Sequence, residues 1–369
     1  MLKATLDPVE EYAVNEPIQP PHISRFGKPV ADVLRHKSSF FDDNSQLLDR
    51  HERAGQVYSQ QPRRTRCKLC SSPDLRLALK RSGVDYLACG RCGHFSGAHQ
   101  ETVAYERALY DEGGAGYAST YGASSQGREA FDLRVRDIYR PKADFLAEVL
   151  VKAGTSPSRE SVLDVGGGAG HFAKALVDGG FSKVTMLERS DDLVAMANRM
   201  CPGVAEVGTI TPAGLEAAID EYQPTILSLI GVLEHLDDPA AIVQVIQKAT
   251  SIRRFFFSVP KFSASVFFEA AFPSVGPRHL TAGHTHLFTE PSLDWLRAES
   301  AMTLEGRWEF GSDFIDLFRG VEVVLQQQGQ PRNAIDTWRS EFVDRIDGMQ
   351  LELDKSFWAS ETHQIWLSS

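Results

Sequence analysis

The chain has 369 residues, 42% of them hydrophobic and 24% charged, with a formal net charge of −10 and a pI near 5.6. Length gives a prior of about two domains, and the composition is that of an ordinary globular protein. The acid excess disfavours a polyanionic partner, because nucleic-acid affinity rests on Lys and Arg neutralising phosphates. No apolar run reaches the length of a membrane span. The start, M-L-K-A-T-L-D-P, lacks an apolar signal core, so the expected setting is cytoplasmic.

Residues 1–62 show no clear periodicity, and Pro8, Pro17, Pro20, Pro21 and Pro29 interrupt any long element. Helical pieces are expected near Val30–Arg35 and Phe41–Arg53, within an arm or partly disordered leader. At Cys67 the character changes. Cys67-Lys-Leu-Cys70 is followed, after eighteen residues, by Cys89-Gly-Arg-Cys92, the spacing of a four-cysteine zinc site. Four thiolates suit a tetrahedral structural Zn2+ with no open position. Leu75–Leu79 and Val84–Ala88 are expected to form a hairpin between the knuckles. A zinc ribbon over 63–100 is too small to bury much core, so a metal staple makes physical sense. The fifth cysteine, Cys201, stands alone and reads as a small hydrophobe.

Residues 101–155 form a helical bridge. Phe131, Val135, Ile138, Phe145, Leu146, Val149 and Leu150 keep helical spacing, and Pro141 is expected to start a second helix.

The stretch that organises the chain is Ser161 to Phe172, S-V-L-D-V-G-G-G-A-G-H-F. An apolar strand, a glycine turn and a helix form a nucleotide-binding corner. Glycines permit positive φ and close approach of a ligand. Asp164 stands at the strand end, where a carboxylate would repel a pyrophosphate and attract a cation. Eighteen residues past Gly170, the strand Lys183–Leu187 ends at Glu188, an acid suited to accepting hydrogen bonds from ribose hydroxyls. Ser190 caps the next helix, and Val204–Val207 forms a third strand followed by Thr209 and Ile210. Thr225–Ile230 is a fourth strand running into G-V-L-E-H-L-D-D-P, and Arg254–Val259 a fifth. Lys261 to Pro291 then carries five phenylalanines, three prolines and His279, His284 and His286. Thr303–Phe310 and a C-terminal strand from His363 complete the pattern.

The spacing D-x-G-x-G-x-G over Asp164, Gly166, Gly168 and Gly170 resembles motif I of the class I S-adenosylmethionine (SAM) methyltransferases. V-L-E-H-L-D-D-P resembles a second segment common in enzymes of that family that act on small molecules. The resemblance implies an α/β fold, a seven-stranded Rossmann-like sheet over 156–369. It implies that Asp164 and the glycines hold the amino-acid end of SAM, that Glu188 holds the ribose, and that Thr209 and Ile210 lie against the adenine. It further implies that Tyr121 or Arg134 on the bridge reaches the cofactor carboxylate, and that 261–291 is an insertion at the acceptor site. His279, His284 and His286 are candidates for the base that takes the acceptor proton, with His279 and His284 preferred. A second metal on these histidines is less favoured, because no acid is interleaved and no helical spacing joins them.

The four-cysteine ribbon, motif I, the V-L-E-H segment and the Arg-His and His-x-Phe-Thr run together resemble bacterial methyltransferases that modify sugars, nucleotide sugars and glycans. The expected reaction is methyl transfer from SAM to a hydroxyl or amine of a small polar acceptor. A nucleic-acid methyltransferase that grips its substrate with the ribbon, and a non-catalytic assembly protein of the same fold, are the alternatives.

Overall fold

The computed structural model describes residues 23–36, 44–102, 105, 127–208 and 211–368. The larger of the two sheets is built from runs apolar enough to be covered on both faces. Its strands are β1 (Ile23–Phe26), β5 (Ser161–Val165), β6 (Lys183–Glu188), β7 (Ala205–Val207), β8 (Ile226–Ile230), β9 (Arg254–Pro260), β11 (Thr303–Phe310) and β12 (Glu361–Leu367). Their order is β1-β11-β12-β9-β8-β5-β6-β7, with β12 antiparallel to both of its neighbours. The seven strands expected from the sequence are all present. The order reverses at β5, which is flanked by β6 and β8, and ligands bind at such a switch point, beyond the carboxyl ends of the strands.

Side chains alternate between the two faces. Leu163, Val165, Phe255 and Phe257 enter one buried layer, whereas Val162, Phe256 and Ile365 enter the other with Phe145, Val149, Phe172 and Leu176. Asp164 shares its strand face with Val162. That face is covered by the helices Arg140–Lys152 and His171–Asp178.

The eighth strand comes from the N-terminal arm. β1 pairs parallel with β11, the Trp308 indole donates to Gly27 O at 2.9 Å, and Asp347 accepts from the Val30 amide at 2.8 Å. The helix Asn44–Ser59 is docked as well: Tyr58 is fully buried and donates to His99 O at 2.7 Å. The described parts of the expected arm are therefore built into the fold. Their apolar anchors are too widely spaced for periodicity to announce them.

Pro141 stands in the first turn of the helix Arg140–Lys152, where the sequence places it. The chain stays helical from Arg128 to Lys152, with a π-helical segment at Val135–Tyr139 just before the proline. The wider turn absorbs the missing donor and the ring's steric demand, which would otherwise break the helix.

The second sheet is antiparallel, in the order β10-β4-β3-β2. It contains the expected hairpin, β2 (Leu75–Arg81) and β3 (Val84–Cys89), then β4 (Phe95–Gly97). Its last strand, β10 (His286–Leu287), belongs to the insertion.

Candidate active site and the cysteine cluster

The glycine turn is held open by backbone conformation. Gly166, Gly168 and Gly170 have φ of +76°, +58° and +84°, values that side-chain-bearing residues rarely adopt. A Cβ on Gly167 would lie 2.4 Å from the Met186 side chain and 2.7 Å from Asp164 Oδ2.

Asp164 is 1% exposed. Its Oδ1 accepts from the Ser228 hydroxyl at 2.6 Å, and its Oδ2 is buried without a partner among the described groups. Burial raises its pKa to about 7, with the Glu188 carboxylate adding to the shift and Ser228 opposing it. A buried acid oxygen with no donor is the feature a cationic ligand would satisfy. Glu188 closes over the turn: its Oε2 accepts from the Gly168 amide at 3.0 Å and its Oε1 from the Ser190 amide at 3.1 Å. Asp164, the three glycines and Glu188 are thus brought together at the carboxyl ends of β5 and β6.

The bridge lies over this corner. His171, next to Gly170, is stacked on Phe131 at 4.3 Å and on Tyr139 at 5.3 Å between ring centroids. Arg134 sits beside the same group. Its guanidinium is 5.9 Å from the Tyr139 ring centroid and its Nε is buried with no partner among the described groups. After burial itself, Arg134 is the main charge holding the His171 pKa down, at about 3. Tyr121, Thr209 and Ile210 lie outside the described residues.

Two residues of the site are not assigned a role from the sequence. Lys142 is 7% exposed, stands 3.7 Å from Glu361 and 5.3 Å from the Tyr139 ring centroid, and acts electrostatically on Asp164 and Glu234. Glu234, in the V-L-E-H turn after β8, has a buried Oε2 without a partner among the described groups. Its pKa is raised to about 8, chiefly by burial and then by Glu361. The turn signature was visible in the sequence, but nothing there showed its acid buried and facing a lysine from the bridge.

The three insertion histidines differ in situation. His286 is fully buried with both ring nitrogens engaged: Nε2 donates to Leu236 O at 2.8 Å and Nδ1 accepts from His94 Nε2 at 2.8 Å. Burial holds both rings well below the ordinary histidine range. His286 is thus tied into the wall, with no nitrogen left over for an acceptor. The backbone amide of His279, itself 1% exposed, donates to Glu269 at 2.8 Å. His284 is half-buried, donates from Nδ1 to Arg278 O at 3.1 Å, and lies 5.4 Å from the ring of His235. Its ring thus lies beside that of the histidine of the V-L-E-H turn.

The four cysteines converge. All are buried, Cys67 and Cys92 Sγ are 3.7 Å apart, Cys70 and Cys89 Sγ are 3.5 Å apart, and all four sulfurs lie within 4.8 Å of one another. Sulfurs about 2.3 Å from a tetrahedral zinc are about 3.8 Å apart, so the set fits such an ion.

A family model described as a methyltransferase domain matches residues 135–300. Among curated proteins none matches the chain. Solved structures of similar architecture include three methyltransferases. The magnesium protoporphyrin IX methyltransferase of Synechocystis PCC 6803, with S-adenosylhomocysteine bound, is 11% identical over 68% of this chain and 97% of that one, at a TM-score of 0.41. A SAM-dependent methyltransferase of Mesorhizobium loti is 16% identical over 56% and 90%, at 0.35. Coclaurine N-methyltransferase, with N-methylheliamine and S-adenosylhomocysteine bound, is 13% identical over 62% and 72%, at 0.39. Residues 135–300 thus form a methyltransferase domain, and the enzyme is a SAM-dependent methyltransferase built on this sheet.

Proposed function

We propose that the enzyme transfers the methyl group of SAM to a hydroxyl or amine of a small polar acceptor, a sugar, nucleotide sugar or glycan, and that its four-cysteine ribbon holds a structural Zn2+. The observation that carries the cofactor assignment is the partnerless Oδ2 of buried Asp164 beside a left-handed glycine turn. Bound there, SAM supplies a methyl group already activated by its sulfonium. Asp164 takes the cofactor ammonium, Glu188 the ribose hydroxyls and Arg134 the carboxylate. The chain's remaining task is to align the acceptor with the methyl group, exclude water and receive one proton. His284, whose Nδ1 donates to the Arg278 carbonyl and whose ring lies beside that of His235, is the residue we assign to that proton.

The small-acceptor reading is supported by the use of charge around the ribbon. Arg64 is paired with Glu101 and Asp237, Lys68 with Glu101, and Arg81 donates to the carbonyls of Phe272, Pro273 and Val275. These three cations, committed to internal partners, are not part of a phosphate-binding stripe. The test is incubation with SAM and a panel of nucleotide sugars, read by mass spectrometry. A gain of one methyl on a sugar supports the proposal. Methylated RNA or DNA with every sugar unchanged overturns it.

A further inference from the structure

The insertion 261–291 has little regular structure of its own: one helix, Ala264–Ala271, and the two residues of β10. Its path is dictated by the ribbon. Tyr86 donates to Thr281 O at 3.1 Å, and Tyr105, just beyond the ribbon, donates to Ala282 O at 2.7 Å. Lys68, inside the first cysteine knuckle, donates to Thr285 Oγ1 at 2.8 Å, and the Gly97 amide donates to Thr285 O at 2.9 Å. His286 and Leu287 pair with Ser96 and Phe95, and Thr289 donates to Gly93 O at 3.0 Å. Two further ties reach the V-L-E-H turn: Arg64 pairs with Asp237 at 2.6 Å, and His94 is linked through His286 to Leu236 O. The four cysteines share a buried layer with Val232, Leu233, Phe288 and Leu293.

We propose that the ribbon is the template of the acceptor wall: its positioning residues, Lys68 and Tyr86 foremost, set the conformation of 272–289 around His284, whereas among the described residues these anchors make no contact with the cofactor corner. No ribbon side chain is assigned to the reacting atoms. The anchors are buried polar groups spending their hydrogen bonds across the junction, so removing one costs the wall its register and leaves the partner unsatisfied. The proposal rests on the acceptor-site reading of the insertion, but its core is a statement about which segment depends on which.

The test is hydrogen exchange with mass-spectrometric readout on the full-length wild type and on Lys68→Met and Tyr86→Phe, with SAM affinity measured by calorimetry on the same samples. Tyr86→Phe removes one hydroxyl from a side chain whose buried cluster is separate from that of the cysteines, so it separates wall positioning from metal retention. Metal content of each sample shows independently whether the ribbon is loaded. The expected result is exchange about tenfold faster over 272–289 in both variants, unchanged exchange over 161–188, and SAM affinity within about threefold of wild type. Unchanged exchange over 272–289 in both variants overturns the proposal, and so does faster exchange over 161–188 with loss of SAM affinity. A chain that holds no zinc refutes the metal assignment and leaves the variant result to decide the template role.

Discussion

Asp164 is shut away from water, holds one hydroxyl, and keeps an oxygen in reserve. Its pKa in the fold is about 7, far above the ordinary aspartate value. Between those two pH values the folded chain binds more protons than the unfolded one. Unfolding free energy therefore falls as pH rises through this window, by at most about 1.4 kcal/mol per pH unit for this group. Cofactor-free Asp164→Asn should match the wild type near pH 4 and melt at a higher temperature than it near pH 8. A difference in melting temperature that does not change with pH would count against the buried charge. The same variant should bind SAM roughly tenfold to a hundredfold more weakly by calorimetry, the worth of a charge-assisted hydrogen bond. Undiminished binding would remove Asp164 from the cofactor site.

At the scale of elements, local chemistry explains most boundaries, and these were legible. Ser190, Asp238 and Thr289 each accept a backbone amide hydrogen bond at the start of the helix they precede. Asp238→Ala should cost about 1 kcal/mol in chemical denaturation, whereas Asp238→Asn should cost much less. Gly170 is less forgiving. Its φ is +84°, and a Cβ there would lie 2.7 Å from the Cβ of Ala197. Gly170→Ala combines backbone strain with a collision, so a loss of about 2 kcal/mol or more is expected in the same experiment. The glycine motif and Glu188 were readable because one turn and one strand end impose a fixed spacing. Lys142 and Glu234 were not, because the helix and the turn that carry them meet only once the sheet is assembled. Pro141 was readable as a helix start, but nothing in the residues before it announces the π turn that joins this helix to the one preceding it.

At the scale of the molecule, the sequence divides into an arm, a ribbon, a bridge and a catalytic region, but the structure buries these pieces in one another. Cys67, Cys70, Cys89 and Cys92 belong to the same buried layer as Phe255 and Trp366 of the main sheet. Extraction of the proposed zinc by a chelator should therefore lower the melting temperature of the whole chain in a single transition. A separate early ribbon transition, with the main one unmoved, would mean that the two parts are thermodynamically independent. Periodicity could not reveal this junction, because β10 is two residues long and its pairing with β4 spans most of the chain.

That pairing also bears on biogenesis. During synthesis the knuckles and β2 to β4 emerge early, yet the small sheet stays unfinished, with the edge of β4 unpaired, until the ribosome has passed Leu287. Such a long-range closure is slow, and an unpaired edge invites misassociation. Early capture of the proposed zinc would keep the nascent ribbon compact while it waits for the strand that completes it.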